Sequence, residues 1–249
     1  MCTLCNDSNH SVNDTSRFFA SRRSALKKLG VGGLWAGMGG MFIPAADAAS
    51  DLIPKPNNLL TPDQALARLI EGNKRFMQGA MTPFNVIKER NLLVDGQNPF
   101  ACVLACADSR VSPEFVFDEE LGDLFVTRVA GNYVTNDILA SLEYAVAELK
   151  SPLIMVMGHT ECGAIKAAIK AFDDDYDFPG HIQVITSALA RAVRVGRSRK
   201  EDIARTNVKL NVINLIDATP VISKYVSQGR VKVVGGLYDL KTGSVEIVT

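Results

Sequence analysis

The sequence predicts an α/β fold: a mostly parallel central β-sheet flanked by helices, with an N-terminal helical arm. Three observations carry this. The apolar runs 100–105 and 153–158 are short and bounded by proline or glycine, as buried strands are. Two further strand-like runs lie at 124–129 and 231–237. Stretches with helical periodicity separate these runs, and alternation of strand and helix favours parallel pairing.

The elements follow in order. Residues 1–48 read as a leader. Ser21-Arg22-Arg23-Ser24-Ala25-Leu26-Lys27-Lys28 resembles a twin-arginine export signal. A glycine-rich, weakly apolar stretch follows at 29–43, then Pro44 and the small-x-small pattern Ala46-Asp47-Ala48. The expectation is export of the precursor by the twin-arginine machinery to a periplasmic or secreted location, with cleavage after Ala48. Cys2-x-x-Cys5 and His10 fall in the discarded part. Folding around a metal before export would protect paired thiolates from an oxidising compartment. Residues 49–60 are polar and proline-rich, a linker or an arm, and 61–249 form the main domain.

Thr61-Pro62-Asp63 starts a helix, a threonine cap followed by proline at the first helical position. Its apolar face holds Leu66, Leu69, Ile70 and Phe76, and it runs to Gly79. A second helical stretch spans 86–94. Beyond the first core strand, Ser112-Pro113-Glu114 reads as a short capped helix. Thr135 caps a helix with a stripe of Ile138, Leu142, Ala145, Val146 and Leu149. An alanine-rich helix covers 163–172. The run 172–178, with four aspartates, reads as a solvated loop. Helical stretches cover 181–195 and 201–226, and a turn at 241–243 leads to a short last strand at 244–248.

Composition narrows the function. The 249 residues suit one ordinary domain plus an extension, and 47% apolar content supplies a substantial core. The net charge is zero and there is no basic stripe, so nothing points to nucleic acid. Five cysteines are few for a disulfide scaffold. No phosphate-binding glycine loop or internal repeat is present.

Two motifs carry the chemistry, each directly after a core strand. They are Cys106-Ala-Asp108-Ser-Arg110 and His159-Thr-Glu-Cys162-Gly163. Sites in open parallel sheets form at the carboxyl ends of strands. Adjacent strands there would bring Cys106, His159 and Cys162 to one ion. Two thiolates and an imidazole form a zinc (Zn2+) ligand set, and three protein ligands leave a fourth position for water. Cys162, near a helix N-terminus, is favoured as thiolate. Two thiolates cancel the zinc charge, so the centre is a weak Lewis acid and needs help from its neighbours. Asp108 can accept a hydrogen bond from the nucleophilic water, and Arg110 can hold that carboxylate bidentately and keep it ionised. Alternatively, Asp108 itself occupies the fourth position and closes the site. Cys102, inside its strand, reads as core. His181 reads as a helix cap or loop-packing residue, with proton relay at the site mouth as the other possibility.

These motifs resemble those of β-class carbonic anhydrases. Gln97-x-Pro99, Arg128-Val-Ala-Gly131-Asn132, Ser141-Leu-Glu-Tyr144 and Gly235-Gly-x-Tyr-Asp239 extend the resemblance across 62–248. It implies zinc on Cys106, His159 and Cys162, an Asp108–Arg110 dyad, and reversible hydration of carbon dioxide (CO2) to bicarbonate and a proton. It also implies a homodimer or a dimer-based higher oligomer, whose N-terminal helices embrace the partner. Gln97 matches a glutamine that lines the pocket of the other subunit, and Gly163 lies in the same pocket. The 128–132 run resembles the open-site group of the family. Trp35, the sole tryptophan, is in the leader, so the tryptophan pocket of bicarbonate-regulated members has no counterpart in the mature chain. Hydrolysis of carbon disulfide or carbonyl sulfide on the same scaffold is one alternative. A non-catalytic zinc- or bicarbonate-binding protein is the other.

Overall fold

The computed structural model describes residues 54–199 and 202–249. The export motif, the cleavage pattern and the Cys2/Cys5 pair lie outside the described residues. Five strands form one sheet in the order β2-β1-β3-β4-β5. They are β1 (Ala101–Ala105), β2 (Leu124–Arg128), β3 (Leu153–His159), β4 (Lys232–Tyr238) and β5 (Val245–Ile247). The first four pair in parallel, and β5 adds antiparallel to β4. The expected α/β architecture is therefore the observed one.

The sheet separates two cores, and strand periodicity assigns residues to them. Ala101, Val103 and Ala105 pack on one face with Met155, Met157, Leu69 of α1 (Pro62–Met77) and Phe117 just past α3 (Pro113–Val116). Cys102 and Leu104 pack on the other with Leu142 of α4 (Asn136–Ala147) and Val208 and Leu215 of α7 (Ile203–Asp217). Strands covered on both faces have no polar side, which explains the unbroken apolar runs. Cys102 is the core residue expected; burial pushes its thiol up to about 12.

The helix starts obey their caps. Thr61 and Gln64 form a reciprocal capping box, and the Thr135 hydroxyl accepts the Ile138 N–H. α2 (Val86–Leu92) falls where expected. Ser112 differs: its hydroxyl turns to Glu114 rather than capping α3.

Two boundaries depart from the sequence reading. The aspartate run is not all loop, because α5 (Gly163–Asp174) takes in Asp173 and Asp174 before ending at left-handed Asp175. Acidic residues oppose a helix C-terminus, but Arg197 of α6 (Ile182–Arg199) meets Asp173 at 2.5 Å and offsets this. The stretch 201–226 is not continuous. It divides at Thr219, which caps α8 (Pro220–Ser227), since Pro220 cannot continue the helix before it.

From Pro54 onward the arm is tied down. A 3-10 turn, Pro56–Asn58, places Asn58 against the carboxylate of buried Asp123 at 2.9 Å. Lys55 reaches the same carboxylate at 2.9 Å, and Arg68 of α1 meets Glu119 at 2.5 Å. Buried carboxylates need such partners, so this polar segment docks instead of trailing as a linker. Among the described residues, no helix is long and apolar enough to cross a membrane.

Candidate metal centre

The carboxyl ends of β1 and β3 lie side by side, with Ala105 opposite Met157. The residues that follow converge. Cys106 leaves β1, His159 ends β3, and Cys162 precedes α5. The two sulfurs are 3.9 Å apart. With a His159 ring nitrogen they form a buried group whose ligand atoms all lie within 4.8 Å of one another. Zinc–sulfur bonds of normal length at a tetrahedral angle span about 3.8 Å between sulfurs. The observed spacing fits.

His159 supplies a second test. Its ring is fully buried, and Nδ1 lies 2.8 Å from the Thr160 carbonyl. A carbonyl only accepts, so Nδ1 carries the proton and Nε2 presents a lone pair. Nε2 is buried without a hydrogen-bond partner. A buried acceptor left unpaired is costly, and a metal ion beside the two sulfurs removes that cost. The residues present therefore fit a zinc-like ion.

Charge is arranged around the sulfurs. Their separation allows a hydrogen bond between them. The hydrogen bond from Cys162 holds the Cys106 thiol down to about 4 against the effect of burial. The Gly131 N–H, 3.2 Å from the sulfur, adds to this. The same contact, together with burial, pushes Cys162 up.

Asp108 and Arg110 sit at the rim as a dyad. Arg110 Nε and Nη2 reach the two carboxylate oxygens at 2.9 and 2.7 Å, and the Arg110 backbone N–H adds a bond at 3.0 Å. These contacts hold the carboxyl well below the usual carboxylate range. Asp108 Oδ2 stands 3.9 Å from His159 Nε2. Arg110 also reaches the Glu161 carbonyl at 3.5 Å, joining the two ligand loops. A cavity of about 440 Å³ opens beside Cys162, bordered by Glu161, Lys166 and Ile203.

The remaining expected residues are exposed. Gly163 begins α5, exposed, with open space where a Cβ would stand. Gln97 is exposed on a separate cavity of about 610 Å³ with Arg90, Val94 and Leu121. His181 is exposed just before α6, its carbonyl accepting the Val184 N–H.

One residue was noted only as part of a motif. Arg128, the last residue of β2, donates to the carbonyls of Cys106, Asp108 and Val111 at 2.9, 2.7 and 2.7 Å. It holds the whole turn that carries the dyad. Its three acceptors are backbone atoms, which no side-chain pattern announces.

The family model described as carbonic anhydrase matches residues 101–245. A carbonic anhydrase of Mycolicibacterium smegmatis is 38% identical over 197 residues, spanning 77% of this chain and 95% of the relative. The chain belongs to the β-class carbonic anhydrases. Carbonic anhydrase 2 of Mycobacterium tuberculosis is also 38% identical, over 73% of this chain and 90% of its own. Among solved structures, the Coccomyxa β-carbonic anhydrase in complex with acetazolamide is 27% identical with a TM-score of 0.58. It covers 74% of this chain and 86% of its own. The protein is an enzyme, and its family and fold support hydration of carbon dioxide.

Proposed function

We propose that this carbonic anhydrase works with one zinc ion per chain, held by Cys106 Sγ, His159 Nε2 and Cys162 Sγ. The observation that carries the reading is the convergence of two sulfurs 3.9 Å apart with an unpartnered, buried imidazole nitrogen. Zinc, when bound, supplies the Lewis acidity that makes water nucleophilic near neutral pH. The chain's own groups do the rest. Asp108 accepts a hydrogen bond from the attacking water at a carboxylate oxygen and so directs its lone pair at carbon dioxide. Arg110 keeps Asp108 ionised and turned toward itself, which supports an open fourth position instead of one closed by aspartate. Arg128 fixes the backbone on which both are mounted. The proton released on forming bicarbonate passes to buffer.

Stopped-flow carbon dioxide hydration on chain 49–249, with zinc measured on the same sample, tests this. About one zinc per chain and chelator-sensitive turnover are expected. Full zinc with no hydration even above pH 8 would sink the reading.

We further propose a dimer in which Gln97 of one subunit borders the site of the other. Val86, Ile87, Leu92 and Val94 leave apolar surface exposed on and beside α2, and a second copy would cover it. Sedimentation of chain 49–249 as a monomer at micromolar concentration would refute this. For the precursor we propose twin-arginine export and cleavage after Ala48, from the motif at 21–28 and the pattern at 46–48. Replacing both arginines (Arg22→Lys with Arg23→Lys) should then retain the precursor in the cytoplasm.

A further inference from the structure

Helix α7 reaches the Cys106 sulfur through a chain of buried amides. Asn207 donates from Nδ2 to the Gly131 carbonyl at 2.9 Å. Asn211, one turn on, donates to both the backbone carbonyl and the Oδ1 of Asn207, at 2.9 Å each. Its own Oδ1 accepts the Val134 N–H at 2.9 Å. The segment 131–134 is thus held from α7 at both ends. Its first residue, Gly131, presents the N–H that meets Cys106 Sγ.

This placement runs against local preference. Asparagine is a poor helix former, and its short amide competes with the backbone. Asn207 and Asn211 are 2% and 4% exposed, on the face of α7 that also buries Val208, Val212 and Leu215. Leucine would be the default there. Instead the Asn207 amide is used at both ends, its Nδ2 by Gly131 and its Oδ1 by Asn211. Gly131 is itself constrained: at φ +88° a Cβ would come within 2.8 Å of Leu189.

We propose that Asn207 is a positioning residue for the Cys106 thiolate, acting through Gly131. It fixes the Gly131 carbonyl, and so the setting of the residue whose N–H draws charge from the sulfur. A weaker sulfur donor leaves more positive charge on the metal, which matters where two thiolates already cancel it. Residues around first ligands tune metal affinity and acidity in this way. The proposal rests on Cys106 being a zinc ligand.

The test uses the cobalt(II)-substituted enzyme and three variants. Asn207→Asp keeps the shape but loses the donor; Asn207→Ala loses both functions. Val208→Ala thins the same helix–sheet contact without touching the amides. The sulfur-to-cobalt charge-transfer band should move to longer wavelength in both Asn207 variants and stay in place in Val208→Ala. Zinc affinity by chelator competition should fall roughly 10-fold or more in the Asn207 variants. An unshifted band in a folded Asn207 variant overturns the proposal, and so does an equal shift in Val208→Ala. If neither Asn207 variant folds, the cadmium-113 wild-type enzyme decides. Scalar coupling between the metal and the Gly131 amide proton supports the proposal, and its absence overturns it. Wild-type enzyme that takes up no metal would refute the zinc site itself, a result distinct from metal bound with an unshifted band.

Discussion

At the residue scale, the proposed site divides holding a metal from using it between different side chains. Cys106 and Cys162 form the sulfur pair, while Asp108 stands 3.9 Å from His159 Nε2 and is fully engaged by Arg110. Cys106→Ser should therefore lose zinc and activity together, read by metal analysis alongside stopped-flow rates. Asp108→Ala should keep its zinc and lose about 100-fold or more in turnover, the usual weight of a positioned acid–base group. Full turnover in that variant would remove the dyad from the mechanism. Arg110→Lys cannot reproduce the bidentate contact, so its turnover should fall while zinc remains.

At the element scale, the site depends on where strands stop. β1 and β3 pair in parallel up to Ala105 opposite Met157, and β3 then runs two residues further to His159, beside the point where Cys106 leaves β1. Arg128 at the end of β2 then fastens the first turn, and the Thr160 N–H bonded to the Tyr238 carbonyl fastens the second to β4. Gly131→Ala tests the third support. A left-handed alanine costs roughly 1–2 kcal/mol, and overpacking against Leu189 adds to it. A loss of about 2 kcal/mol or more is expected in urea unfolding of chain 49–249. The capping box gives a smaller effect remote from the site. Thr61→Ala should cost about 1 kcal/mol and leave the rate of carbon dioxide hydration unchanged.

At the scale of the whole molecule, a second charged cluster joins the arm to the body. Lys55, Asn58 and Arg68 converge on Glu119 and Asp123, both nearly buried. Burial pushes the Glu119 carboxyl up to about 7, against the pull of Arg68. The sign of the linkage follows. In the fold Glu119 keeps its proton where the unfolded chain has lost it, so its contribution is full below about pH 4.5 and is lost as pH rises through 7. Glu119→Gln should flatten that decline between pH 5 and 8 by on the order of 1–3 kcal/mol. Denaturation curves at the two pH values measure it; equal slopes in wild type and variant would show that Glu119 is already ionised throughout.

Much of this protein is legible in its residues alone. Unbroken apolar runs mark strands covered on both faces, and Thr61-Pro62 marks a helix start, because these are local constraints on backbone and burial. The two motifs that converge at the candidate metal centre were readable for the same reason: thiol, imidazole and carboxylate side chains placed just past strands declare their chemistry. Other features were decided only by packing. The aspartates at 173 and 174 extend α5, with Arg197 opposite Asp173. The arm docked because Asp123 is buried beneath it. Arg128 and Asn207 act through backbone carbonyls 17–22 and 76 residues away in sequence. A backbone carbonyl is the same in every residue, so sequence names the donor but not its acceptor, and only the folded chain pairs them.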